Sequence, residues 1–561
     1  MYFNAYSYPI NSFLKTIKIL VLLFIFSQSL VTYSQEFGRK DSLRGHLSIE
    51  RICYDVNYYH LKISVYPEEK FIKGYSEIHF KAKSDFERIQ IDLFENMKIS
   101  EIQFEGRAQK YYREFNAVFV NFDRLVKSGE QTFIRVYYSG NPRVAINPPW
   151  DGGFSWEKDD NGKDWVGVSC QGLGASSWWP NKDHQSDEPD SMLISCQVPA
   201  GLQCISNGNM RFHDLRKSTK LYNTYHWFVS YPINNYNVTL NIGDYTHFWD
   251  KYISGNDTLN LDYYVLPYNL EKAKEQFEVV KPMLDCFQKY LGPYPFWNDG
   301  FTLVETPYLG MEHQSAIAYG NKFRLGYLGN LRFTAGLGFD FIIVHESAHE
   351  WWGNSITAND ISDMWIQETF CTYSELLFVE CSYGYDAMIK YVKNQMSMAQ
   401  NRRAIVGTPD VHNKGSGDMY AKGSAFIHTL RSVVDNDTLW FDLFKSMTNH
   451  FKHQTVDGRE VLNYINEKSG RNFNKLYEQY LYTPKLPQFE YELCGWGKQK
   501  TLKFRWNAID GFDMPLKVTL DNGVFDWIYP ESEWKELDLS IWKKDFQIAN
   551  HLFLIDVKKL Q

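Results

Sequence analysis

Apolar and polar residues alternate in short runs from about residue 45 to 245. Tyr75-Ser76-Glu77-Ile78-His79-Phe80, Thr132-Phe133-Ile134-Arg135-Val136-Tyr137-Tyr138 and Asn237-Val238-Thr239-Leu240-Asn241-Ile242 are typical, with turn-forming clusters between them. A period of two bounded by turns is the signature of strands, so residues 35–246 are expected to form a large antiparallel β domain. Beyond it the texture changes. A strand at Leu259 to Leu266 leads into a helix-like stretch from Leu270 to Tyr290, then a strand at Phe301 to Glu305. Patterns with a period near 3.6 follow around 336–354, 364–382, 386–401 and 420–434, which predicts an α+β module over 247–484. From about 485 the period returns to two, in Leu502-Lys503-Phe504-Arg505-Trp506, Leu516-Lys517-Val518-Thr519-Leu520 and Leu552-Phe553-Leu554-Ile555. Residues 485–561 are expected to form a small β-sandwich. The fold class is therefore multidomain α+β, and 561 residues suit three or four cores rather than one.

The amino terminus reads as an address. Lys15 and Lys18 precede the apolar run Ile19 to Phe26, and Thr32-Tyr33-Ser34 offers small residues to a signal peptidase. The run is short for a membrane span, so residues 1–34 are expected to be a cleaved signal peptide with no stable membrane insertion afterwards. The first cysteine, Cys53, lies well past that run, which argues against a lipid anchor there. With 59 Lys and Arg against 67 Asp and Glu, the net charge is −8 and no basic block stands out, so nucleic acid is excluded as a partner. Eight cysteines form no CxxC pair, which removes zinc-finger and thioredoxin readings. Cys196 and Cys204 could bridge a hairpin, or remain buried thiols like the others.

The chemistry is concentrated in His345-Glu346-Ser347-Ala348-His349 and in Trp365-Ile366-Gln367-Glu368. Helical spacing puts His345 and His349 on one face, where two imidazoles can share a metal. Glu368 follows far enough away for a second helix to return its carboxylate as third ligand. Two His and one carboxylate leave a fourth tetrahedral position for water, which marks a catalytic Zn2+, one per chain. Glu346, beside the first ligand, is placed to take a proton from that water. Upstream, Gly310-Met311-Glu312-His313-Gln314 follows an expected strand. A peptide can add to such a strand edge, where Glu312 would hold its protonated α-amine one residue from the scissile bond.

These residues resemble the M1 family of gluzincin aminopeptidases. His345 to Thr357, HESAHEWWGNSIT, is similar to the family's HExxHxWxGNxVT; GMEHQ resembles GAMEN, and WIQETFCTYSE resembles WLNEGFAxYxE. Met419-Tyr420-Ala421-Lys422-Gly423 resembles YxKG, and YPINNYNVTLNIGDY at 231–245 falls in the same likeness. The resemblance implies a thermolysin-like catalytic domain, zinc on His345, His349 and Glu368, and Glu346 as general base. It also implies Gly310, Met311 and Glu312 as substrate-binding, Tyr420 as stabiliser of the tetrahedral oxyanion, Gln171 as a second amine contact, and Glu375 as support for a ligand His. Departures fall at His313, where the family has Asn, and at Gln367 and Thr369 around the third ligand. A long helical C-terminal domain, common in the family, is expected to be absent, leaving a more open site without that domain's basic residue.

The sequence thus predicts an exported zinc-dependent aminopeptidase acting on peptides with a free N-terminus, whether periplasmic, secreted or surface-associated. Its rivals are a zinc endopeptidase or other zinc hydrolase, epoxide hydrolysis included, and a silent peptide-binding scaffold. Oligomeric state and first-residue preference leave no trace in the sequence.

Overall fold

Tyr54–Tyr66 shows why the first half of the chain is sheet. Tyr59, Leu61, Ile63 and Val65 alternate with solvent-facing positions and are fully buried, so each second side chain feeds one core. The computed structural model describes residues 37–213, 221–521 and 523–560; the expected signal peptide lies outside them. Tyr54–Tyr66 is an inner strand of an eight-stranded sheet, flanked by a four-stranded and a three-stranded sheet. That domain is not purely antiparallel as expected. Tyr54–Tyr66 runs antiparallel to Phe71–Ala82 but parallel to Ser191–Pro199, in register Tyr58 with Ser191. A parallel pair needs a long crossover, and the intervening chain supplies one by building strands of the smaller sheets.

The run 237–242 is mostly not strand. Asn234 caps a single turn at Asn235–Asn237 by accepting from Tyr236 N, and only Asn241–Gly243 joins a sheet. Here buried asparagines bond across to other segments in place of a ladder, Asn237 Nδ2 donating to Asn354 Oδ1 at 2.7 Å.

The second sheet joins the two halves. Its strands are β1 (Thr246–Ser254), β2 (Asp257–Val265), β3 (Phe301–Glu305), β4 (Gly310–Met311) and β5 (Ile317–Tyr319), in the order β1-β2-β3-β5-β4. β4 is therefore an edge, paired only with β5. Alternate residues serve opposite cores. Leu261, Tyr263, Leu303, Ile317 and Tyr319 pack with the helices that follow, whereas Tyr264, Val304, Met311 and Ala318 pack with the N-terminal β domain.

Four helices position the site: α1 (Phe341–Ala348), α2 (Trp365–Tyr383), α3 (Tyr385–Met398) and α4 (Ala421–Val434). α1 is shorter than the pattern over 336–354 suggests because Asp340 caps it, accepting from the N–H groups of Ile342 and Ile343. Likewise the stretch 270–290 divides into Leu270–Gln276, a tight turn at Phe277–Val279, and Val280–Leu291. Cys286 and Cys381 form a disulfide between that last helix and α2. Cys196 and Cys204 stay free and buried, since their strands belong to different sheets and form no hairpin.

After residue 484 the regular elements of the described chain are strands, in a four-stranded and a two-stranded sheet. Leu552–Ile555 is not among them. Phe553 and Leu554 are buried, and Leu554 N donates to Thr429 Oγ1 on α4 at 2.9 Å, so the segment docks on a helix before pairing begins at Asp556. Phe489, Trp506 and Val518 share the core of the helices, which fuses this β unit to the catalytic module.

Leu266 and Leu303 lie on opposite sides of the junction, both essentially inaccessible to solvent. Leu266→Ala and Leu303→Ala are each expected to cost about 2–5 kcal/mol and to lower one common unfolding transition. Two separately shifted transitions in a denaturant titration would show that the halves unfold independently.

Candidate active site

His345 lies in α1 and His349 caps its C-terminal end one turn later, and each ring is oriented by its inner nitrogen. His345 Nδ1 lies 2.6 Å from Glu375 Oε1, and His349 Nδ1 lies 2.8 Å from the carbonyl of Trp352. Both partners can only accept here, so each Nδ1 carries the proton and each Nε2 presents a lone pair. Those two Nε2 atoms face the same oxygen. Glu368 Oε2, in the first turn of α2, lies 3.8 Å from His345 Nε2 and 3.5 Å from His349 Nε2. It is buried and accepts no hydrogen bond from the protein, whereas its sister Oε1 accepts from Gln171 Nε2 at 2.8 Å. A buried carboxylate oxygen without a donor, facing two imidazole lone pairs, fits a cation and little else.

Among the described residues, ligand atoms also converge as His345, His349 and Cys371, and as Glu312, His349 and Glu368. Cys371 lies behind the ring, 3.9 Å from His345 Nδ1, and its thiol donates to the His345 carbonyl at 2.8 Å. Glu312 is held off by Gln171, whose Nε2 donates to Oε1 at 2.6 Å. The donor set that remains is His345, His349 and Glu368.

Burial alone would raise the carboxyl of Glu368, but the neighbouring imidazoles of His349 and His345 hold it down at about 2. Glu346 differs. Burial pushes it up to about 7; the imidazoles pull against that, and Glu312 and Glu368 add to it. Its position depends on a missing side chain. A Cβ on Gly310 would stand 2.8 Å from Glu346 Oε1 and 2.7 Å from Ile342 Cγ2, so only glycine lets β4 pass this close to α1.

The other expected site residues converge on one cavity of about 310 Å³, lined by Gln171, Gly310, Met311, Glu312, Glu375 and Tyr420 along with the ligands. Met311 also packs into the N-terminal core. Tyr420 precedes α4, its ring 6.2 Å from that of His345. Glu375 spends both oxygens, one on His345 and the other on the Tyr391 hydroxyl. Burial raises Glu312, with His349 opposing. Lys414 is the one Lys or Arg among the lining residues and is solvent-exposed.

Several partners escaped the sequence reading. Asn354 Nδ2 donates to the Glu312 carbonyl at 2.9 Å, tying the loop after α1 to the end of β4. The phenol of Tyr236 accepts from Gln367 at 2.9 Å and donates to Glu312. Both sit inside quoted motifs, which was the available signal; Tyr391, one helix further on, had none. Gln171 is fixed through its loop. Gly172 O accepts from His412 Nε2 at 2.5 Å, and Leu173 O accepts from Arg44 Nη2. Arg44 is anchored in turn, since Arg51 Nη1 donates to its carbonyl at 2.8 Å and Arg51 pairs with Asp92 at 2.7 Å. Residues of the segment before the first sheet thus brace the loop that carries Gln171.

If Glu375 fixes the tautomer of His345, Glu375→Gln is expected to weaken zinc affinity about 10–100-fold with the fold retained. Competition against a calibrated chelator measures it, and unchanged affinity would remove Glu375 from the site.

Residues 275–480 match the family model described as the peptidase family M1 domain. The chain is 21% identical over 424 residues to "Probable aminopeptidase 1" of Sulfurisphaera tokodaii, covering 72% of this chain and 51% of that protein. It is 20% identical over 400 residues to leucyl aminopeptidase of Saccharolobus solfataricus, covering 68% and 49%. The chain therefore spans about half the length of the curated relatives it matches. In fold it is similar to the crystal structure of the M1 zinc metallopeptidase from Deinococcus radiodurans, with a TM-score of 0.63 and 21% identity over 80% of this chain and 97% of that one. Residues 275–480 thus resemble the peptidase family M1 domain in sequence, and the chain resembles an M1 zinc metallopeptidase in fold.

Proposed function

We propose that this chain is an exported zinc aminopeptidase that removes the first residue from peptides with a free N-terminus. One observation carries the reading. Gln171 Nε2 donates to Glu312 at 2.6 Å and to Glu368 at 2.8 Å, so the carboxylate offered to an amine and the carboxylate offered to a metal stand one side-chain amide apart. A peptide whose ammonium meets Glu312 therefore presents its first carbonyl beside His345, His349 and Glu368, and no later one.

A zinc ion held by those three residues supplies Lewis acidity to the scissile carbonyl and to water. The chain's own groups do the rest. β4 offers an unpaired edge for the substrate backbone. Glu312, buried and held by Gln171 and Tyr236, binds the α-ammonium. Glu346 takes a proton from the attacking water and returns it to the departing amine, a role suited to a carboxyl raised to about 7. The Tyr420 phenol donates to the carbonyl oxygen as that oxygen gains charge.

A mutant of the Deinococcus radiodurans M1 zinc metallopeptidase has been crystallised bound to a Tyr-Ser-Ala substrate, which supports a peptide as substrate here. Export is supported by Lys15, Lys18 and the apolar run at 19–26, and by the Cys286–Cys381 disulfide, which suits an oxidising compartment.

The test is hydrolysis of amino-acid 4-nitroanilides with and without a zinc chelator, beside N-acetylated controls. Chelator-sensitive release from free-amine substrates alone is expected, and equal release from acetylated ones would make the chain an endopeptidase. Glu346→Gln should keep its zinc while kcat falls about 10²–10⁴-fold. Undiminished turnover in that variant would refute the proton-transfer role.

A further inference from the structure

Thr369 follows Glu368 in α2, at one of the positions where the chain departs from the motif it resembles. Its side chain is fully buried, so the hydroxyl needs a partner inside the protein. Within a helix a threonine hydroxyl can turn back to a carbonyl one turn earlier. Here Oγ1 donates instead to the carbonyl of Met419 at 2.6 Å, across 50 residues of sequence.

Met419 closes the single turn Gly417–Met419, and its carbonyl belongs to the peptide plane that leads into Tyr420. Tyr420 has φ −79° and ψ −86°, values of neither helix nor strand, so continuation of α4 does not set its orientation. Its own N–H reaches Gly417 O only at 3.4 Å, whereas the bond from Thr369 to the preceding carbonyl is short. Asp418 secures the other side of the turn, accepting from Gln400 N at 2.7 Å and Asn401 N at 2.8 Å. Those bonds tie the turn to the chain leaving α3. Thr369 ties it to the helix that carries Glu368.

Gly423 shows how close that approach is. A Cβ there would stand 2.1 Å from Thr369 Oγ1 and 3.0 Å from Thr369 Cβ, so α4 rests on Thr369 only because residue 423 has no side chain. The contacts form a circuit. Glu368 is joined to Thr369 along the chain, Thr369 to Met419 through its hydroxyl, and Met419 to Tyr420, which lines the cavity that holds Glu368. Thr369 itself is not among the lining residues.

We propose that Thr369 is a positioning residue, which through the Met419 carbonyl sets where Tyr420 stands relative to His345 and Glu368. The proposal rests on the role given to Tyr420 in the aminopeptidase reading and adds the group that aims it. Thr369→Val keeps the side chain's shape and removes its hydroxyl; Thr369→Ser keeps the hydroxyl. Each is assayed as zinc-loaded protein on the 4-nitroanilide that the wild type cleaves best, alone and in a Tyr420→Phe background.

Thr369→Val is expected to lower kcat about five- to tenfold, the worth of one hydrogen bond, with KM and zinc affinity unchanged. Thr369→Ser should restore kcat. In the Tyr420→Phe background the valine should cost nothing further, because the group it misplaces is already gone. Wild-type kcat in Thr369→Val, or an equal loss in the Tyr420→Phe background, would overturn the positioning role and leave Tyr420 in place. Wild-type kcat in Tyr420→Phe alone would overturn the role of Tyr420, and the proposal with it. Amide exchange over residues 416–424 needs no turnover, and Thr369→Val should speed it while leaving 341–349 unchanged. Unaltered exchange in 416–424 would overturn the brace whatever the activity.

Discussion

Buried negative charge is the constraint around which this molecule is organised. Glu312, Glu346, Glu368 and Glu375 line one cavity, all nearly inaccessible to bulk water, and the one basic side chain lining it, Lys414, stands in solvent. Carboxylates cannot be brought so close without donors, protons or a cation. The fold supplies donors selectively. Glu375 is satisfied at both oxygens, and Gln171 serves one oxygen each of Glu312 and Glu368. That accounting leaves Glu368 Oε2 without a donor, where a cation fits, and leaves the Glu346 carboxyl raised to about 7 by burial.

The shared sheet explains how two domains can build such a site. β4 lies at the edge where its backbone is open, yet Met311 on that strand is rooted in the N-terminal core. Gln171, Tyr236 and Asn237 come from the N-terminal half; the ligands come from α1 and α2. The proposed amine subsite is thus assembled across the junction, and the metal donor set comes wholly from the helical module. Any rotation of one half on the other would alter the distance between amine and metal, so fused cores serve chemistry as well as stability.

The metal ligands were legible because helical geometry alone puts His345, His349 and a following carboxylate together. Tyr75, Thr132 and Leu502 stand in strands for an equally local reason, alternation. Legibility ended where partners are remote in sequence. Tyr236 meets Glu312, and Arg44 meets Leu173, through contacts that no period encodes. The same limit explains the misread segments. The apolar run at 552–555 reflects docking on Thr429, and 237–242 trades ladder bonds for asparagine side chains. α1 begins later than its apolar pattern because Asp340 caps it while also holding the segment before it. The resemblance to known motifs offered Gln171 as an amine contact, but its bonds to both Glu312 and Glu368 required coordinates.

The brace formed by Arg44 and His412 has a consequence for how the molecule comes into being. The loop carrying Gln171 is clasped by residues 44 and 412, which lie at sequence distances of 129 and 240 from their contacts. Contacts of such separation close late in folding, after local helices and hairpins are in place. The helical turns bearing His345 and His349 can therefore acquire their shape early, while the clasp that sets the position of Gln171 waits for distant parts of the chain to meet. Nascent protein would pass through a stage with His345 and His349 arrayed and the Gln171 bridge between Glu312 and Glu368 not yet closed.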